Sequence, residues 1–317
     1  MIASGIQNTE YRSQNTGADR KGSLWRRARM IQAVRRFFIM RDYLEVETPH
    51  LIPAPAPEVH VDAFSCGNLF LHASPELSMK RLLAQGYPCI FQICKCFRGK
   101  ERGDRHLPEF TMLEWYHVGI DYRELMNECE ELLYFVFREL GYSDNLSYQG
   151  CPVVISPPWE RTTVAEAFSL YAPLSMSEAL ERDCFDQIMA DHIEPCLGVA
   201  RPTFIYDYPG NPGSLAKAKQ GEPGIVERFE LYIGGLELAN AFSELCDGKE
   251  QRLRFQDAEQ ARLEMGKTLY PPAERFLRVL SDMPDAAGIA LGIDRLAMII
   301  NDRATIDDVV AFTPEDL

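Results

Sequence analysis

The chain has 317 residues, enough for one large domain or two modest ones, and its 46% hydrophobic content supplies a sizeable core. A net charge of −14 argues against a surface built to hold bulk polyanions, while leaving room for a local basic patch. Nine scattered cysteines with no CxxC pair or metal spacing fit a reducing cytoplasm, with thiols as small apolar fillers; no apolar run approaches a membrane span, and the amino terminus lacks a signal-peptide core.

Residues 1–22 are polar and read as a mobile leader. Ser23 then reads as the N-cap of a helix whose apolar positions are Leu24, Ala28, Ile31, Val34 and Phe38. Arg26, Arg27, Arg29, Arg35 and Arg36 surround it, as a solvated face or as a contact for an acidic protein or RNA. Residues 43–48 predict a short strand stopped by Pro49, and the proline-rich run 52–57 an extended loop. Ser74-Pro75-Glu76 opens a helix with a cap, a proline and a first-turn acid; Glu76 is either part of that capping or a ligand for a substrate amine.

Residues 89–117 are the stretch the rest of the chain has to serve. They predict two strands, 90–98 and 109–117, joined by a charged loop. Side chains alternate along a strand, so Phe110, Met112, Glu114 and Tyr116 share one face. With Arg98 they gather an arginine, an aromatic plane, a carboxylate and a phenol, a set suited to a phosphate, a purine and an ammonium group. The bland reading is a core hairpin with a solvated tip, but an inward Glu114 is costly without a cationic partner.

Residues 122–140 predict a helix burying Leu125, Met126, Cys129, Leu132, Leu133 and Val136. Residues 150–225 carry helix-like segments and many Gly/Pro breaks, and read as an inserted, mostly helical subregion. Gly234-Gly235 then marks a two-residue hairpin between 227–233 and 236–242. Its register sets 232 opposite 237 and 230 opposite 239, so Glu230 and Glu237 are diagonal neighbours on one face. Such a pair suits a shared Mg²⁺; the alternative is two acids facing solvent. Asn240, Phe242 and Glu244 have the opposite parity and join that face only if a bulge follows Glu237. Last, residues 288–295 form a buried strand running into a helix over 296–300, with Gly292 allowing close approach and Arg295 in the first turn. An arginine there opposes the helix dipole unless something anionic is bound.

Tyr43 with EVETP (45–49), FR (97–98) with HLPEFTMLEWY (106–116), and GIALGIDRL (288–296) resemble the three signature motifs of class II aminoacyl-tRNA synthetases. SPE (74–76) and ELANAFSE (237–244) are similar to the lysyl branch. The resemblance covers residues 24–317 and implies an α+β catalytic fold, an antiparallel β-sheet flanked by helices, assembled as a homodimer around the first motif. Only about forty residues precede that motif, too few for an anticodon-reading barrel. The organisation therefore resembles the elongation factor P–lysine lysyltransferases, as does Ala290, which stands where lysyl-tRNA synthetases usually carry glycine.

The resemblance implies a role for each matched residue. Arg98 would hold the α-phosphate of ATP and the substrate carboxylate, with His106 near the outer phosphates. Phe110 and Arg295 would sandwich the adenine, Gly292 letting it approach, and Glu237 and Leu238 would line the nucleotide. Glu230 and Glu237 would carry Mg²⁺. Ser74, Pro75, Glu76, Glu114, Tyr116, Asn240, Phe242, Glu244 and Ala290 would surround lysine or β-lysine. Three positions depart from the pattern: Lys100 replaces a glutamate, Leu107 an asparagine and Ala241 a glycine, which touches the adenine side and leaves the phosphate, metal and amino-acid ligands intact. The implied activity is ATP-dependent formation of an aminoacyl-adenylate and its transfer to a lysine of elongation factor P, in the cytoplasm, without membrane or tRNA. Two rivals are an enzyme with another acceptor, tRNA or a small amine, and a silent synthetase-like binding subunit.

Overall fold

A computed structural model describes residues 7–210 and 215–317, with side chains from residue 20 onward. An eight-stranded sheet organises the molecule. In chain order its strands are β1 (Leu44–Glu45), β2 (Cys89–Phe97), β3 (Glu109–Val118), β4 (Glu160–Thr163), β5 (Thr203–Pro209), β6 (Ile225–Ile233), β7 (Leu236–Ser243) and β8 (Ala286–Gly292). In space they run β1-β2-β3-β8-β7-β6-β5-β4. Only the two outermost pairs, β1 with β2 and β4 with β5, are parallel. The α+β expectation with an antiparallel sheet is borne out.

Helices cover both faces. On one, α1 (Gln7–Ile39), α3 (Tyr122–Glu139) and α6 (Ile293–Asn301) bury Val34, Phe37, Phe38, Leu125, Leu132 and Leu296 against the sheet's Phe91, Leu113 and Trp115. The six residues expected on the buried side of α3 are all fully buried, and a capping box between Asp121 and Glu124 starts the helix. On the other face, α2 (Glu76–Ala84) and α5 (Gly248–Glu264) enclose a smaller core with Met79, Leu83, Phe255 and Phe276. The helix α4 (Val164–Tyr171) caps the β4–β5 edge.

Four expectations are corrected. The first helix begins at Gln7, so Ser23 lies inside it; residues 1–6 of the expected leader lie outside the described residues. The strand expected over 43–48 pairs only at Leu44–Glu45, because Val46 still bonds to Phe91 but the chain then turns toward Pro49. Residues 150–225 are not set apart: they supply β4 and β5, which complete the central sheet. Finally, Glu230 stands opposite Asn240, not residue 239. The Gly234-Gly235 turn forms as expected, both residues at positive φ (60° and 71°), and Tyr232 faces Glu237. One extra residue on β7 then shifts the register, Leu231 facing Ala239.

Candidate active site

The bulge after Glu237 is what assembles the site. It returns Asn240 and Phe242 to the face that carries Glu230, in continuous rows across the sheet. One row reads Glu230, Asn240, Ala290, Glu114, Gln92; the next reads Phe242, Gly288, Tyr116, Ile90. Together with Ser74, Glu76 and Arg98, most of these residues line a cleft of about 500 Å³, a size suited to a small organic ligand.

At the floor of the cleft is an acid pocket. Ser74 Oγ accepts from the Glu76 backbone N–H (2.9 Å) at the start of α2 and donates to Glu114 Oε1 (2.6 Å). Tyr116 donates to Glu114 Oε2 (3.0 Å). Burial, reinforced by the nearby Glu76 charge, pushes the Glu114 carboxyl well above the usual range. Behind it, Lys80 bridges Glu76 (2.6 Å) and Glu244 (2.5 Å), with all three charged groups largely removed from solvent. Burial works against the Lys80 ammonium, but Glu244 and Glu76 outweigh it and hold its pKa above the ordinary value. Burial pushes Glu244 up to about 8, even though Lys80 pulls the other way. A side chain at Gly288 would collide with both Tyr116 and Glu244 Oε1, so only glycine lets these groups converge.

A second cluster forms where β7, α6 and the loop after β2 meet. Arg295 donates to the Glu237 carbonyl (2.9 Å) and carboxylate (3.1 Å), and its other nitrogen lies 2.6 Å from His106 Nε2. The anion that an arginine at a helix start requires is thus partly supplied by Glu237. Burial and the Arg295 charge hold the His106 pKa below its ordinary value. Next to Arg295, Asp294 accepts from the Thr111 N–H (2.6 Å) and pairs with Arg27 (2.5 Å), tying α6 to β3 and α1. Arg27 is therefore part of the site's scaffold and not of a solvated face, whereas Arg35 and Arg36 take surface acids, Glu45 and Glu139.

Between the two clusters sits Arg98, its guanidinium 5.1 Å from the Phe110 ring and its Nε buried without a hydrogen-bond partner among the described residues. A buried donor left open in a cleft is a place for an anion's oxygen. Glu230 is buried nearby. Its Oε2 accepts from Tyr208 (2.7 Å) and Tyr232 (2.8 Å), and Oε1 pairs with Arg228. Burial and the Glu237 charge raise its pKa, against Arg228; Glu194 is likewise raised by burial, then by Glu230 and Glu237.

Of the sequence-predicted residues, Ser74, Glu76, Arg98, Glu114, Tyr116, Asn240, Phe242 and Ala290 line the cleft, and His106, Glu237 and Arg295 form the second cluster, while Leu238, Glu244 and Pro75 are placed differently. Leu238 is the bulge residue and its side chain enters the core, so it lines nothing. Glu244 lies beneath the cleft wall, already paired with Lys80. Pro75 occupies the N-cap position of α2 and does not line the cleft. Sequence reasoning missed Lys80 and Arg228. Lys80 lies four residues after Glu76 on one helix face, and Arg228 shares strand parity with Glu230, which are the signals that point to them.

Residues 10–316 match the family described as tRNA synthetases class II (D, K and N). The chain is 40% identical over 307 residues to an elongation factor P–(R)-β-lysine ligase of Vibrio cholerae serotype O1, covering 91% of this chain and 94% of that one. Proteins of the same name from Vibrio vulnificus and Proteus mirabilis are each 38% identical, over 91% and 92% of this chain and 94% of theirs. With its sheet, its acid pocket and its arginine cluster in register with this resemblance, the chain belongs to the class II tRNA synthetase family (D, K and N), beside these ligases.

Proposed function

We propose that this protein activates a diamino acid, lysine or β-lysine, as its adenylate at the expense of ATP and transfers it to a lysine side chain of elongation factor P. The observation that carries the reading is the charge count in the acid pocket. Three carboxylates, Glu76, Glu114 and Glu244, stand against one ammonium, Lys80. Full ionisation leaves a deficit of two positive charges, which a ligand with two ammonium groups fills. The acceptor is taken from the relatives, which are named for it and align over 94% of their length.

In the first step the amino-acid carboxylate attacks the α-phosphorus of ATP in line and pyrophosphate leaves. Arg98, with its open Nε, supplies positive charge between the two anions and Arg295 adds its own, while His106, whose charged form is disfavoured, offers a ring hydrogen bond to the outer phosphates. Phe110 gives the adenine a flat face, with Gly292 beside it. Glu114, Tyr116 and Ser74 orient one amine, and Asn240, Phe242 and Ala290 shape the space around the reacting end. In the second step a neutral lysine amine of the acceptor attacks the adenylate carbonyl and AMP leaves, with no covalent enzyme intermediate.

Mg²⁺ would be held by Glu230 and Glu237; burial and the Glu237 charge raise the pKa of Glu230, and burial and both charges raise that of Glu194. Tyr208, Tyr232 and Arg228 use about three of the four lone-pair sites of Glu230, leaving one on Oε1. When bound, the ion would screen phosphate charge. A homodimer around the first motif is supported by the exposed Trp25, Ile39, Met40, Leu44 and Leu51 on α1 and its surroundings. Nine free thiols suit the reducing cytoplasm. Among the described residues no helix is long and apolar enough to cross a membrane.

Incubation with ATP, Mg²⁺ and labelled lysine or (R)-β-lysine, together with elongation factor P or bulk tRNA, tests the reading. Amino-acid-dependent pyrophosphate exchange and label on the factor are expected. Label on tRNA with the factor unlabelled overturns the acceptor; no exchange with any amino acid overturns the catalysis.

A further inference from the structure

Two of the nine cysteines stand together beside a histidine. Cys94 and Cys96 alternate along β2 on one face, their sulfurs 3.9 Å apart, and a ring nitrogen of His72 completes a group whose ligand atoms lie within 4.8 Å of one another. All three are buried, at 8%, 0% and 1% exposure. The spacing Cys94-Lys95-Cys96 escapes a search for CxxC because on a strand the same-face interval is two residues.

We propose that Cys94, Cys96 and His72 bind one thiophilic divalent cation of the zinc class. Three features point to it. Two thiolates about 2.3 Å from a tetrahedral Zn²⁺ stand about 3.8 Å apart, close to the separation here. His72 Nε2 lies 2.7 Å from the Lys95 carbonyl, which only accepts, so the proton is on Nε2 and the lone pair on Nδ1. A backbone carbonyl holding the far N–H is the usual support of a metal-binding histidine. The histidine is also fixed through its own backbone, since the His72 carbonyl accepts from Phe97 N–H (3.0 Å) and its N–H donates to His50 (2.9 Å). The exposed His50 ring lies 5.1 Å from that of His72 but is not among the converging ligand atoms, which leaves the fourth position to water. Two sulfurs and an imidazole exclude Mg²⁺, so this site is separate from the Glu230–Glu237 pair. Met112 and Phe110 pack on the two cysteines, and a bound cation would stiffen β2 just before Arg98.

Co²⁺ titration of the reduced full chain provides the test. One equivalent is expected to raise a thiolate-to-metal charge-transfer band, and added Zn²⁺ to remove it. Cys94→Ser and Cys96→Ser should each weaken binding by more than the roughly 10–100-fold that loss of a supporting partner costs. The triple variant Cys66→Ser/Cys151→Ser/Cys196→Ser, at exposed thiols, should keep the band unchanged. No band at one equivalent, or a band that persists in both buried-cysteine variants, overturns the proposal. If those variants fail to fold, zinc-edge absorption of the triple variant decides: two sulfurs at about 2.3 Å support the site, and a shell of oxygen and nitrogen alone overturns it.

Discussion

At neutral pH Glu244 sits close to its own midpoint, because burial carries its pKa to about 8 while Lys80 and Glu76 pull in opposite directions. The folded state therefore keeps a proton that the unfolded chain has released. Its contribution to stability is full below the ordinary carboxylate range and is lost as pH rises through about 8. A ligand carrying two ammonium groups works the other way, drawing the protons off Glu244 and Glu114. Amino-acid binding should therefore release protons, and KM for the diamino acid should fall from about pH 6 to about pH 8, by up to about tenfold per unit of pKa displaced. Pyrophosphate exchange at the two pH values and calorimetry in two buffers check this; net proton uptake contradicts it. Lys80→Met removes the one cation between two buried acids and should cost about 3–5 kcal/mol. Because Glu244 can take up a proton instead, denaturant unfolding should show a smaller loss at pH 6 than at pH 8. The acids of this pocket were legible in the sequence and the lysine was not: a Lys four residues after a Glu is usually a surface pair, and only the docking of α2 on the sheet buries it.

Among the elements, the β6–β7 hairpin divides sharply into what sequence resolves and what it leaves open. Two consecutive glycines at positive φ fix the turn, and with it the pairing of Tyr232 and Glu237. Parity alone left Asn240 and Phe242 on the wrong face, and only the bulge reconciles them with Glu230. Removing Leu238 together with Ala239 should set Asn240 opposite Leu231 and turn every later side chain of β7 to the other face, abolishing exchange with all amino acids. Leu238→Ala keeps the residue count while emptying a core position, so it should cost about 2–5 kcal/mol yet retain exchange. Equal activity of the two variants would mean that the register of β7 does not position the site. The edge strand β4 and its neighbour β5 escaped notice for a related reason. Glu160–Thr163 is short, polar and half-exposed, and its strand character comes from the partner it meets, Thr203–Tyr206. The early start of α1 is similar: residues 7–22 carry no apolar stripe, and the periodicity that defines the helix downstream is silent there.

The charge of the whole molecule bears on its acceptor. At −14 overall, the chain has two basic stretches, and the structure ties up much of each. Arg27, Arg35 and Arg36 pair with Asp294, Glu45 and Glu139, while Arg102 is held by Asp307 and Glu315 and Lys100 by Asp62. What remains is too sparse to neutralise a long run of phosphates. A protein that makes 6–10 phosphate contacts loses about 10³–10⁵ in affinity between about 50 and 200 mM salt. Transfer to a protein acceptor whose reacting lysine enters the cleft depends on a few local contacts, and its salt response should stay within about tenfold. Initial rates of acceptor labelling at the two salt concentrations, with and without excess bulk tRNA, measure the difference. A steep salt dependence together with inhibition by tRNA would mean that a polyanion is the true acceptor, whereas a shallow response with no inhibition is what this surface predicts.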